Sequence, residues 1–113
     1  MMIKNLTRKI ILAKKYKTYK NIFSKSLGLM FSIKNKTLIL NFKKEKINPL
    51  HMFFVFYPID VLFLDKNKII VEIKENFKPF TFYTPKKKSK YIIELPKNSI
   101  KNSKTKVGDK INF

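Results

Sequence analysis

Seven acidic residues stand against 26 basic ones in this 113-residue chain. Three of the seven lie inside apolar runs. Asp60 sits in Pro58-Ile59-Asp60-Val61-Leu62-Phe63-Leu64, Glu72 in Ile70-Val71-Glu72-Ile73, and Glu94 in Ile92-Ile93-Glu94-Leu95. A carboxylate on an apolar strand loses water unless it is paired, and such groups shift their pKa and gather at sites. Held together, two of them could do acid/base or glycosidic chemistry. They could also bind a hard cation through oxygen. Asp60, Glu72 and Glu94 are therefore the weak catalytic candidates. The plainer reading, which we prefer, gives each a structural task. Asp60 would accept backbone N–H groups at the bend after Pro58, or pair with a lysine. Glu72 and Glu94 would sit on a solvated face and pair with lysines, at under about 1 kcal/mol each.

A second constellation is Phe77–Lys88, FKPFTFYTPKKK. Aromatic rings interleaved with lysines suit a single-stranded nucleic-acid platform, where bases stack and ammonium groups follow phosphates. Phe80, Phe82, Tyr83, Lys86, Lys87 and Lys88 are the binding candidates. The competing reading closes a barrel mouth with Phe77, Phe80 and Phe82 and leaves the lysines solvated. His51 is the only histidine and there is no cysteine. Transition-metal sites, thiolate chemistry and disulfide scaffolds are thereby set aside. No serine lies in a nucleophile-elbow sequence. The two glycines, Gly28 and Gly108, lie in no phosphate-cradling pattern. No cofactor and no metal are expected.

The charge is unevenly placed. Residues 1–48 carry net +12, residues 49–80 net zero and residues 81–113 net +7. Lysine is used 25 times and arginine once, at Arg8. One reading is compositional: an AT-rich genome, thermophilic and archaeal-like in its lysine use. The other is a footprint for nucleic acid or another polyanion. Base-specific recognition leans on bidentate arginine, so non-specific affinity through a lysine-rich surface is the form expected. The longest uncharged stretch, Ile47–Ile59, has 13 residues, short of a membrane span. The basic N-terminus lacks a signal-peptide core. These features predict a cytoplasmic protein without a membrane span.

Several short elements must position these residues. Leu6–Ala13 reads as a first strand. Thr18 reads as an N-cap, with Tyr19, Ile22, Phe23 and Leu27 forming one apolar face of a helix over about 18–27, closed by Gly28. Met30–Ile33, Thr37–Phe42, His51–Tyr57, Ile59–Leu64, Ile69–Ile73, Tyr91–Leu95 and Lys110–Phe113 read as strands. Asp65-Lys66-Asn67-Lys68 supplies turn chemistry for a hairpin. Asn76–Lys90 reads as a loop, and Asn98–Lys104 as one helical turn capped by Asn98. The chain length bounds a single domain over 1–113. The expected fold is mainly β (α+β): an antiparallel sheet curled into a small or half-open barrel with one or two short helices.

The chain resembles a widespread bacterial and archaeal family, the domain of unknown function 192 (uncharacterised protein family 0127). The elements that carry the likeness are Ser26-Leu27-Gly28-Leu29-Met30-Phe31, and Met52 with Pro58-Ile59-Asp60-Val61, any residue, then Phe63-Leu64-Asp65. They continue with Val71-Glu72-Ile73, Lys90-Tyr91-Ile92-Ile93-Glu94-Leu95 and Lys106-Val107-Gly108-Asp109. They occur in the family's order over roughly 26–110. Where many members carry Trp-Met-Lys-Asn this chain has His51-Met52-Phe53-Phe54, and Ser89 stands where many have Ala. The likeness implies a small β-rich domain and implies no activity.

Three functions are compatible with these residues. The leading one is a non-enzymatic binding domain for a polyanion, a protein or a small ligand. The second is an enzyme using a carboxylate cluster around Asp60. The third is an accessory or assembly protein that docks through its aromatic loop or a sheet edge.

Overall fold

One interior strand of the main sheet carries a single charge in six residues. Ile59–Leu64 is buried at all six positions, as a strand covered on both faces must be, and this accounts for a sequence that is apolar at every position but Asp60. The computed structural model describes residues 2–22, 37–51 and 57–113, with 21, 22, 50 and 51 described by their backbone. The elements, in chain order, are β1 (Ile3–Asn5), β2 (Ile10–Ala13), β3 (Lys17–Ile22), β4 (Leu38–Lys46) and β5 (Leu50–His51). There follow β6 (Ile59–Leu64), β7 (Ile70–Phe77), β8 (Phe82–Tyr83), β9 (Ser89–Pro96), α1 (Ser99–Ser103) and β10 (Ile111–Asn112).

The main sheet has the order β3-β4-β9-β6-β7. Its pairs are antiparallel except β3 with β4, which run parallel. A three-stranded sheet, β10-β1-β2, and a two-stranded ribbon, β5-β8, complete the β structure. The fold is thus mainly β (α+β), as expected. Its main sheet is open and not closed into a barrel, and one pair departs from the expected antiparallel order.

Each face of the main sheet carries its own core. On one face Leu40, Phe42, Ile59, Val61, Phe63, Phe77 and Ile92 pack with Tyr19, Tyr57, Val71 and Tyr83. On the other, Ile39, Leu62, Leu64, Ile70, Ile93 and Leu95 pack with Ile3, Ile100 and Ile111 from the small sheet and the helix. The period-two alternation along β4, β6 and β9 sends neighbouring residues to opposite cores.

The Asp65–Lys68 turn forms as predicted. The Asp65 carboxylate accepts the N–H groups of Asn67 and Ile69 at 2.9 and 3.0 Å, an Asx turn. The helix predicted over 18–27 is corrected over its first part. Residues 17–22 form β3, in register with Leu38–Phe42. Thr18 and Tyr19 have strong β preference, and three or four apolar positions do not separate a short helix from a strand. The rest of that helix, the Gly28 cap, the Met30–Ile33 strand and residues 52–56 of the His51–Tyr57 strand lie outside the described residues. Leu6–Ala13 is broken into a turn at Leu6–Lys9 followed by β2, with Lys9 at φ 57°. The Asn5 carboxamide oxygen accepts the Arg8 N–H at 3.0 Å and holds this turn. The loop at Asn76–Lys90 is shorter than expected, since β7 runs to Phe77, β8 forms within it and β9 starts at Ser89.

Among the described residues, no helix is long and apolar enough to cross a membrane.

Candidate functional site

The loop between β7 and β9 begins at a buried ring and ends at a buried hydroxyl. Phe77 is 1% exposed, and the small residue Ser89 is fully buried. Between them the chain leaves the core. Lys78–Thr81 turns with Phe80 at φ 62°, a left-handed conformation that a bulky side chain rarely adopts. Phe80 and Phe82 are 62% and 69% exposed. β8 then pairs Phe82 with His51 and Tyr83 with Leu50. Tyr83 turns back onto the core, its ring 5.8 Å from that of Phe63 and 6.3 Å from that of Phe77. Pro85 is buried, while Lys86, Lys87 and Lys88 are exposed.

Glu72 fixes this loop. It projects from β7 on the face of Phe63, its register partner. One carboxylate oxygen accepts the backbone N–H groups of Lys86 and Lys87 at 2.8 and 3.0 Å. The other accepts the Tyr83 hydroxyl. Lys74 places its ammonium 5.3 Å from the centre of the Tyr83 ring. Burial, with the hydrogen bond to Glu72 and that residue's charge, pushes the Tyr83 phenol up to about 12. Glu72 is therefore no solvated partner of a lysine ammonium. It is the anchor that holds the aromatic and basic parts of the loop in one arrangement.

Asp60 lies on the opposite face of the sheet. It alternates with Leu62 and Leu64 and pairs in register with Leu95. It is 2% exposed. One oxygen accepts the Asn76 N–H and the other the Ile100 N–H, both at 3.0 Å. The first bond holds a bulge: Ile59 pairs with Phe77 and Val61 with Lys74, so β7 carries one extra residue there. The second caps α1. Asn98, the expected cap, sits at the N-cap position with φ 72° and its side chain makes no capping bond. Asp60 supplies that acceptor from another element, meeting an N–H that the helix leaves unbonded.

Glu94 is fully buried. Its register partners are Val61 on β6 and Leu38 on β4, on the face that carries Glu72. The expectation of a solvated Glu94 is corrected. Because β6 separates β7 from β9, Glu72 and Glu94 are not on adjacent strands. The structure thus does not gather the three carboxylates: Asp60 serves one face, and the two glutamates stand on the other with a strand between them. Among the described residues no three His, Cys, Asp or Glu side chains are grouped as metal ligands.

A further polar cluster escaped the sequence reading. Asn5, 0% exposed, donates from its amide nitrogen to Asp109 at 2.9 Å and to Thr105 at 3.1 Å. Arg8 donates to the same Asp109 oxygen at 3.0 Å, and the Lys106 N–H does so at 3.0 Å. Burial alone would raise the Asp109 carboxyl. The bonds from Asn5, Arg8 and Lys106, with the Arg8 charge, outweigh burial and hold it below the ordinary carboxylate value of 3.8. This clasp joins the two ends of the chain. The one arginine and the Lys106-Val107-Gly108-Asp109 run were its visible signals.

The family model described as DUF192, uncharacterised ACR, matches residues 6–113. A UPF0127 protein of Thermococcus sibiricus is 34% identical, over 99% of this chain and 74% of its own length. One of Pyrococcus furiosus is 38% identical, over 82% of this chain and 81% of its own. The fold also occurs in a crystal structure of a protein of unknown function from Novosphingobium aromaticivorans. That likeness has TM-score 0.75 at 16% identity, covering 99% of this chain and 82% of the other.

Proposed function

This chain belongs to the DUF192 family, and from that premise we propose that it is a non-enzymatic binding domain whose β7–β9 loop docks a polyanion. Single-stranded nucleic acid is the ligand class that suits this loop best, and the cytoplasm is the setting that a chain without cysteine suits. The exposure of Phe80 and Phe82 carries the reading. Both rings lie largely open to solvent, which favours a surface role for them. Phe80 gains nothing from its backbone, because its left-handed φ is unfavourable for an aromatic residue. Two exposed rings and three exposed lysines on one loop supply the parts of a stacking platform. Glu72 lowers the cost of ordering by holding the backbone of Lys86 and Lys87 before a ligand arrives.

The experiment is a salt titration of binding by fluorescence anisotropy, with single-stranded RNA and DNA oligonucleotides, duplex DNA and heparin. Stacking contributes about 1 to 3 kcal/mol per base. Phe80→Ala and Phe82→Ala should each weaken single-strand binding by about 5- to 150-fold and leave heparin binding nearly unchanged. Equal loss on all four ligands, or none, would reduce the affinity to net charge.

A further inference from the structure

The small sheet offers a second surface, remote in sequence from the aromatic loop. Strand β2 is at the edge of the order β10-β1-β2, and among the described residues β1 is the only strand paired with it. Edge strands present unpaired backbone donors and acceptors to any extended chain that approaches. Such edges are usually blunted by charge, whereas the body of this one is Ile10-Ile11-Leu12-Ala13. Ile10 and Ile11 are 36% and 45% exposed, and Leu6 beside them is 47% exposed.

Two cavities open beside the strand. One, of about 330 Å³, is lined by Lys4, Asn5, Leu6, Lys9, Ile10 and Ile11. The other, of about 230 Å³, lies between Ile10-Ile11-Leu12 and the helix residues Ser99, Asn102 and Ser103. A strand added to an edge points successive side chains to alternate faces. Cavities on the turn side and on the helix side of β2 would receive such side chains.

Charge selects the occupant. Lys4, Lys9, Lys14 and Lys15 surround the strand and are exposed. Asp109, the acid bonded within this sheet region, is buried and paired to Arg8. A second copy of the chain would bring net +19 against net +19 and set lysines against lysines, which costs stability at an interface. We infer that β2 is a docking edge for an acidic, extended segment of a partner protein, one that alternates apolar residues with Asp or Glu.

The test uses the full chain and two synthetic peptides with the same alternating Val/Ile pattern, one with Asp/Glu between and one with Lys. Amide exchange and chemical-shift mapping report where each binds. The acidic peptide should protect the amides of Ile10–Ala13 and leave those of Phe80–Lys88 unchanged, and the basic peptide should not bind. Ile11→Lys should weaken the acidic peptide by at least about 10-fold. A Lys4→Glu/Lys9→Glu variant keeps the inference testable should Ile11→Lys fold poorly, and it should also lose binding by about 10-fold. Three results would overturn the idea: equal affinity for these variants, protection confined to the aromatic loop, or dimerisation of the free protein through β2.

Discussion

Replacing Asp60 by alanine should destabilise the domain severely without touching a catalytic step. The carboxylate is 2% exposed and accepts two backbone N–H groups from elements far apart in sequence, Asn76 and Ile100. Removing it strands both donors. A lost bond of this kind, with its partner left buried, costs about 1 to 3 kcal/mol. The Ile100 donor is the costlier of the two, because that residue is 3% exposed, whereas Asn76 is exposed and water can reach it. The sum is about 3 to 4 kcal/mol, a large share of the 5 to 15 kcal/mol that holds a domain folded. Urea denaturation would read it. With a slope of about 1.5 to 2 kcal/mol/M, the midpoint should fall by about 2 M. Asp60→Asn keeps one oxygen and should lose about half as much. Glu75→Gln removes the same charge from an exposed site and should shift stability by under about 0.5 kcal/mol. That control separates the bonds from the charge. A midpoint shift under about 0.5 M for Asp60→Ala would refute the capping argument. Retained stability with lost ligand binding would make Asp60 a functional residue after all.

Three further outcomes follow from the other anchors. The Asp109 carboxyl is held low in the folded state, so its stabilising contribution is complete above the unfolded value near 3.8 and is lost as pH falls through the folded value. Arg8→Met should therefore lower the denaturation midpoint at neutral pH, and the gap from the parent protein should close on acidification. The Tyr83 phenol, raised to about 12 from 10.0, favours the folded state below pH 10 and loses that contribution as pH climbs through 12; in Glu72→Gln its ultraviolet titration should move down yet stay above 10.0, because burial is the larger cause. Glu72→Ala makes the protein one charge more positive yet frees the Lys86 and Lys87 backbone, so single-strand binding should weaken; tighter binding would show that net charge alone governs the loop.

Legibility in the sequence followed the range of the interaction. The β6–β7 hairpin could be read because its turn residues bond within four positions of each other. The covered strand β6 could be read because burial on both faces leaves a run that is apolar at every position but Asp60. The Asp60 anomaly was visible, but its partner Ile100 is 40 positions away, and no local pattern announces it. β3 was misread because its backbone partner is the parallel strand β4, and a parallel mate is joined by a long crossover and not by a short local turn. The Asn5–Asp109 clasp spans 104 positions and escaped for the same reason. Loop 77–88 was found from composition, yet composition did not show which rings face solvent. Register and the Glu72 anchor decide that.

The fate of the acids bears on the charge of the whole molecule. Glu45, Asp60, Asp65, Glu72 and Asp109 each accept at least one backbone N–H. They are five of the seven acids in the chain. Asp109 also pairs with the Arg8 guanidinium at 3.0 Å. A carboxylate placed at a turn, a bulge or a helix end is directed at a fixed dipole and holds the backbone there. The scarce negative charge holds the backbone, and seven acids offset only part of the field of 26 basic residues. A compositional origin for those lysines and a functional field are then not exclusive. Whatever supplied the lysines, the excess of 26 basic over seven acidic residues leaves a positive potential standing. The partners it favours are a polyanion at the aromatic loop and an acidic chain at the β2 edge.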